Sequence, residues 1–138
     1  MSADKSISRV LVVAGSDSGG GAGLQADIKS IMAMGGYAMT AITALTAQNT
    51  NGVHGVMPVP AAFVRQQMQV VLQDIGADMI KTGMLHRREI IEAVAETWDA
   101  FGRLPMVVDP VMVAKGGASL LDREAASALQ SLLLPACR

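Results

Sequence analysis

The stretch Val10-Leu11-Val12-Val13-Ala14-Gly15-Ser16-Asp17-Ser18-Gly19-Gly20-Gly21-Ala22-Gly23-Leu24-Gln25-Ala26-Asp27 decides how the chain folds. An apolar run without alternation enters a turn that holds Gly15, Gly19, Gly20, Gly21 and Gly23. Leu24, Ile28, Ile31 and Met32 then recur at helical spacing. A run apolar on both faces is the pattern of a strand inside a parallel sheet. Strand, glycine turn and helix in that order also build a ligand site. Glycines let backbone approach a ligand closely, and a helix start offers unpaired N–H groups at a positive dipole end.

Two well-known glycine turns do not fit. A Walker A loop needs Lys and then Ser or Thr after its last glycine, but Gly20 is followed by Gly21 and Ala22. Gly21-Ala22-Gly23-Leu24-Gln25-Ala26 matches a dinucleotide fingerprint loosely. That fold wants an acidic residue about 20 positions on for the ribose hydroxyls, and 28–73 contain no Asp or Glu. A plain tight strand–helix connection does not need so many glycines.

Outward from this turn, strands and helices alternate. The first strand covers 9–14 and the first helix about 22–34, ended by Gly35-Gly36. A second strand is expected over 38–45, then a polar loop over 46–52, and a short strand or extended cover over 53–59. Pro60 opens a helix whose inward stripe is Val64, Met68, Val71, Leu72 and Ile75, capped by Gly76. A strand at 78–84 precedes a helix at about 87–101 that buries Ile90, Ile91, Val94, Trp98 and Phe101. Met106-Val107-Val108-Asp109-Pro110 is a strand ending in a carboxylate and a proline. Asp122 caps a last helix with Leu129, Leu132 and Leu133 inward. The order β-α-β-(β)-α-β-α-β-α predicts a three-layer α/β/α domain with a mostly parallel sheet. Ligands bind such sheets beyond the carboxyl ends of the strands. The Gly15 turn, the Gln48 loop, the Gly83-Met84 turn and the Asp109-Pro110 corner are therefore expected to converge.

Composition narrows the function classes. The chain has 138 residues, enough for one domain with a real core. It is 51% hydrophobic and 17% charged, which excludes intrinsic disorder. Net charge is −1 and aromatics are 3%, so nucleic acid and anionic membrane are poor partners. Cys137 is the single cysteine, which rules out an internal disulfide or a cysteine-based zinc site. His54 and His86 stand apart from other ligand types. The polar start 1–8 lacks a signal peptide's apolar stretch, and no apolar run approaches the roughly 20 residues of a membrane span. A cytoplasmic location is expected.

Four segments resemble the hydroxymethylpyrimidine/phosphomethylpyrimidine kinases of thiamine biosynthesis, members of the ribokinase-like superfamily. They are Ala14 to Asp27, Ile42-Thr43-Ala44-Leu45-Thr46-Ala47-Gln48-Asn49-Thr50, Ile80-Lys81-Thr82-Gly83-Met84-Leu85, and Val108-Asp109-Pro110-Val111-Met112. The resemblance implies phosphorylation of 4-amino-5-hydroxymethyl-2-methylpyrimidine, then of its monophosphate, with ATP and Mg2+. It implies that Gly15, Asp27, Gln48, Met84 and Val111 line the pyrimidine pocket, and it suggests a homodimer. A Gln amide can meet both the amino group and the ring nitrogen of an aminopyrimidine. Asp27 can accept from the amino group, and Met84 offers a flexible apolar wall.

On the residues alone, Gln48 also reads as a polar loop residue, Met84 as core, and Asp27 as a solvated helix residue. Asp109 and Lys115 suggest a phosphate or metal environment, though Lys115 also reads as a solvated loop lysine. A structural ion pair explains Lys81 equally well. Family members are about twice this long. Their second half carries the Asn-x-x-Glu segment for metal and ATP, and a late glycine-rich loop with the catalytic base or cysteine. Residues 1–138 therefore read as the N-terminal, substrate-side half of one ribokinase-like kinase domain, apparently truncated. The base is expected beyond Arg138, and this chain alone is expected to have little or no activity. The alternatives are a pyridoxine or pyridoxal kinase, a non-catalytic ligand-binding module, and, more distantly, a dinucleotide-binding oxidoreductase.

Overall fold

The computed structural model describes residues 6–114, 116–117 and 119–137. The elements, in order, are β1 (Arg9–Asp17), α1 (Gly23–Ala33), β2 (Tyr37–Asn49), β3 (Gly52–Pro58), α2 (Ala61–Asp74), β4 (Met79–Thr82), α3 (Arg88–Ala100), β5 (Met106–Val108) and α4 (Arg123–Ala128). A wide π turn, Leu129–Leu133, and a 3-10 turn, Leu134–Ala136, follow α4. The strands form one sheet in the order β3-β2-β1-β4-β5. β1 lies in its centre, parallel to β2 (Val12 opposite Thr40) and to β4 (Val12 opposite Lys81). β5 runs parallel to β4, while β3 returns antiparallel along β2.

The period-2 alternation of side chains splits β1 between two cores. Leu11 and Val13 join Met68, Ile91, Val94 and Leu133 in the larger core, beneath α2, α3 and α4. Val12 and Ala14 pack on the other face against Leu24, with Ile28 and Ile31 of α1 beside them. The architecture is thus the expected helix–sheet–helix sandwich. Burying a side chain such as Leu11 contributes about 1.5–3 kcal/mol, which is why residues 10–14 of β1 present no polar face.

Capping follows the sequence at several ends. Gly76 takes a φ of 72°, and its N–H donates to the Val71 carbonyl. The Asp122 carboxylate accepts from Ala125 N at 2.7 Å. Pro60 sits just before α2 as its N-cap rather than inside its first turn.

Some expectations need correction. β1 continues past Ala14 to Asp17. The polar segment expected as a loop is mostly strand, because β2 runs on to Asn49 and pairs with β3 across a turn at 50–51. Met32, Ile75 and Leu132 are exposed rather than inward. Met32 lies in the last turn of α1, and Ile75 lies just past the end of α2. Leu132 is turned outward because the π turn breaks the 3.6-residue period.

Candidate active site

The carboxyl ends of β1, β2, β4 and β5 surround a cleft of about 370 Å³. Gly15, Asp27, Gln48, Met84, Val111 and Asp109 all line it, although they are scattered from β1 to the segment after β5. Lys115 lies outside the described residues. The site therefore sits where parallel α/β sheets place ligands.

The glycine turn is organised from within. Asp17 is only 6% exposed. Its Oδ1 accepts from Gly19 N at 2.8 Å, and its Oδ2 accepts from Gly21 N at 2.9 Å and Ala22 N at 2.8 Å. In a phosphate-binding turn such N–H groups would face the ligand. Here a side chain has taken them, so these N–H groups are no anion cradle, and the dinucleotide reading loses its basis. Gly23 has a φ of 55°, and a Cβ there would stand 2.4 Å from the Gly15 carbonyl oxygen. Only glycine lets α1 start this close to β1.

Two further contacts lock the turn to its neighbours. Gln25 Oε1 accepts from Asp17 N at 2.8 Å, and Gln25 Nε2 donates to Ser16 Oγ at 2.7 Å. Ser18 Oγ donates to the Gln48 carbonyl at 2.7 Å and accepts from Gln48 N at 2.8 Å. The extension of β2 places Thr46 and Gln48 two residues apart, with their side chains on the inner face while Leu45, Ala47 and Asn49 face out. The Thr46 hydroxyl donates to the Ser16 carbonyl at 2.8 Å.

The opposite wall is charged at its base and apolar above. Lys81 Nζ lies 2.7 Å from Asp27 Oδ2 and 3.8 Å from Asp109 Oδ2. The Lys81 and Asp27 side chains are about one-fifth exposed (22% and 21%), so this pair is less screened than a surface pair. Asp109 is the more open partner. Met84 packs over Gly15 so closely that a Cβ on Gly15 would meet Met84 Cε at 2.6 Å. Thr43 Oγ1 fixes the Met84 turn by donating to the Met84 carbonyl at 2.6 Å. Beyond β5 the chain folds back, with Leu120 N donating to Met112 O at 2.8 Å, and Val111 packs with Leu120 and Met84. Among the described residues no group of three His, Cys, Asp or Glu stands close enough to hold a metal ion. Cys137 is remote in sequence from the motifs and does not line the cleft.

Asp17, Thr46, Ser16 and Gln25 are site residues that the sequence alone does not single out. The signal for Thr46 was its period-2 relation to Gln48. Asp17 is an acidic side chain two residues before three glycines, the pattern in which Asp bonds the backbone two residues on.

An α/β sandwich on a mostly parallel sheet with a cleft at the strand ends is the architecture of the ribokinase-like vitamin kinases. The solved structure of a phosphomethylpyrimidine kinase from Clostridium difficile superposes with a TM-score of 0.88 at 42% identity, covering 94% of this chain and 56% of that one. Residues 17–138 match the family Phosphomethylpyrimidine kinase, and the chain belongs to it. The hydroxymethylpyrimidine/phosphomethylpyrimidine kinase of Bacillus subtilis is 53% identical over 130 residues, which are 94% of this chain and 48% of that protein. A pyridoxal kinase from Staphylococcus aureus, solved with AMP-PCP and pyridoxal, superposes with a TM-score of 0.82 at 37% identity, over 96% of this chain and 46% of that one. The chain thus spans about half the length of the relatives it matches.

Proposed function

We propose that the cleft binds 4-amino-5-hydroxymethyl-2-methylpyrimidine and its monophosphate for ATP-dependent phosphorylation in thiamine biosynthesis. The observation that carries this reading is the meeting of Gly15, Asp27, Gln48, Met84 and Val111 in one cleft. Its volume lies at the small end of the roughly 300–1,000 Å³ range of ligand pockets, as a single substituted ring requires. Gly15 leaves room for the Met84 side chain, which with Val111 walls the ring, and Asp27 and Gln48 meet its polar edge. Lys81 holds the Asp27 carboxylate in place and joins it to Asp109, which faces the more open side of the cleft.

In the transfer the substrate hydroxyl oxygen bonds to the γ-phosphorus, the bond to the β-phosphate oxygen breaks, and ADP leaves. The hydroxyl proton needs an acceptor. In this reading the carboxylates of the cleft have other work: Asp17 is engaged by three N–H groups and Asp27 by Lys81 at 2.7 Å, while the more open Asp109, 3.8 Å from Lys81, is left to the nucleotide side. The acceptor in this reading comes from the part of the relatives that this chain does not match, beyond the position of Arg138. Residues 1–138 are then the N-terminal, substrate-side half of one kinase domain. Mg2+ would be held mainly by the nucleotide phosphates and water, with Asp109 the carboxylate best placed to assist. It would supply charge neutralisation on the transferred group.

The same reading carries a cytoplasmic location and a homodimer. A pyridoxal or pyridoxine substrate is the second reading, favoured by the likeness to the Staphylococcus aureus enzyme. The test is calorimetric binding of the aminopyrimidine and of pyridoxine to the purified chain, with ADP release measured in parallel with MgATP. Aminopyrimidine binding without turnover is expected. Binding of neither ring overturns the reading, preferential binding of pyridoxine moves it to the second, and turnover abolished by Asp109→Ala places the whole apparatus within these residues.

A further inference from the structure

Thr46 Oγ1 lies 2.8 Å from the Ser16 carbonyl oxygen and 3.2 Å from Oε1 of Gln48. Both are acceptors, and a threonine hydroxyl has one proton to give. The carbonyl belongs to the backbone and cannot turn. The amide can, because a half-turn about its last bond exchanges oxygen and nitrogen at nearly the same places. The shorter contact identifies where the proton goes.

We infer that Thr46 is a positioning residue: it donates to Ser16 O, accepts from Nε2 of Gln48, and so turns Gln48 Oε1 away from itself as the acceptor offered to a ligand. The same logic runs on the other side of Ser16. Asp17 N–H can only donate, so it fixes Gln25 Oε1, and Gln25 Nε2 must then donate to Ser16 Oγ. That leaves the Ser16 hydroxyl proton free to be given elsewhere, and Ser16 lines the cleft. Two backbone groups, Asp17 N–H and Ser16 C=O, thus set the polarity of two side-chain amides. The result is one acceptor, Gln48 Oε1, and one donor, the Ser16 hydroxyl, on the same wall.

Resting on the aminopyrimidine reading, this wall selects a ring whose edge carries an N–H donor beside an acceptor nitrogen. A ring with an oxo group in place of the amino group would set oxygen against oxygen. A site built for one hydrogen-bond pattern rejects the ligand that leaves its groups mispaired.

The experiment measures binding of 4-amino-5-hydroxymethyl-2-methylpyrimidine and its 4-oxo counterpart to the chain carrying Thr46, Thr46→Ser or Thr46→Val. The unaltered chain and Thr46→Ser should prefer the amino ring by roughly ten- to hundredfold, the size of one mispaired hydrogen bond. Thr46→Val frees the amide to turn, and the preference should fall to within about threefold. Full preference in Thr46→Val, or none in Thr46→Ser, overturns the inference. In the free protein, nuclear Overhauser contacts from the Gln48 Nε2 protons to the Thr46 methyl are expected. Their absence overturns it as well, even where Thr46→Val fails to fold. If the unaltered chain binds neither ring, the aminopyrimidine reading falls, and the amide contacts alone decide the role of Thr46.

Discussion

Replacing Asp17 by Asn tests whether the glycine turn is held by its own carboxylate. The substitution keeps size and removes one oxygen and the charge. Two N–H groups, Gly21 and Ala22, converge on Oδ2, and one, Gly19, on Oδ1. The Asn oxygen serves the converging pair best, which leaves its NH2 group against the Gly19 N–H. One mispaired donor costs about 1–3 kcal/mol. Bonds to a charged acceptor are about twice as strong as neutral ones, so the other two weaken by about 0.5 kcal/mol each. Gly19, Gly21 and Ala22 are exposed, so water relieves part of this. The sum is about 2–3 kcal/mol. Urea unfolding of a domain this size has a slope of about 2 kcal/mol/M, so the midpoint should fall by about 1–1.5 M. The Gly19, Gly21 and Ala22 amides should also lose protection from hydrogen exchange. A loss below 0.5 kcal/mol on this scale, with those amides unchanged, would falsify the claim that Asp17 holds the turn.

Gly23→Ala forces a side chain into the left-handed region and against the Gly15 carbonyl; it should cost about 2–4 kcal/mol by denaturant unfolding. Gly15→Ala meets only the tip of flexible Met84; stability should fall by less than about 1.5 kcal/mol, while calorimetric affinity for the ring drops as Met84 moves into the cleft. Lys81→Met leaves Asp27 and Asp109 facing one another without a cation; aminopyrimidine affinity should fall at least about tenfold, the effect of one lost charged contact, and unchanged affinity would remove Lys81 from the site. The Arg9 side chain, and then its backbone N–H, hold the Asp78 carboxyl at about 2 against an ordinary 3.8. The folded value is the lower one, so this contribution is present above about pH 4 and is lost as pH falls toward 2. Asp78→Asn should flatten that part of the thermal-melting profile, and an unchanged acid limb would count against the pair.

The fold was largely legible because local pattern decides it. The uninterrupted apolar run at 10–14 needed cover on both faces, and helical stripes supplied that cover. Errors fell where a short-range rule met a longer-range constraint. The segment 46–52 reads as a loop because clusters of Thr, Asn and Gly mark loops, yet β3 supplies the pairing that makes residues up to Asn49 strand. Met32 and Ile75 continued a helical period beyond the part of each helix that meets the sheet.

The site divides along the same line. The strand-end rule is enough to bring Gly15, Gln48, Met84 and Asp109 to one edge, since it needs only element order. Which atom each side chain offers there is not encoded locally. Asp17 looks like a free acid in the sequence and is a committed acceptor in the fold. Gln48 looks able to donate or accept, and its freedom ends at Thr46, whose own proton is fixed by Ser16, 30 residues earlier in the chain. A hydrogen-bond chain is read only from an end whose polarity cannot change, and here both such ends are backbone groups of β1. The strand that decides the fold thereby also decides the chemical sense of the cleft wall, which is why substitutions of Thr46 and Gln25, the side chains that read those two backbone groups, should alter selectivity.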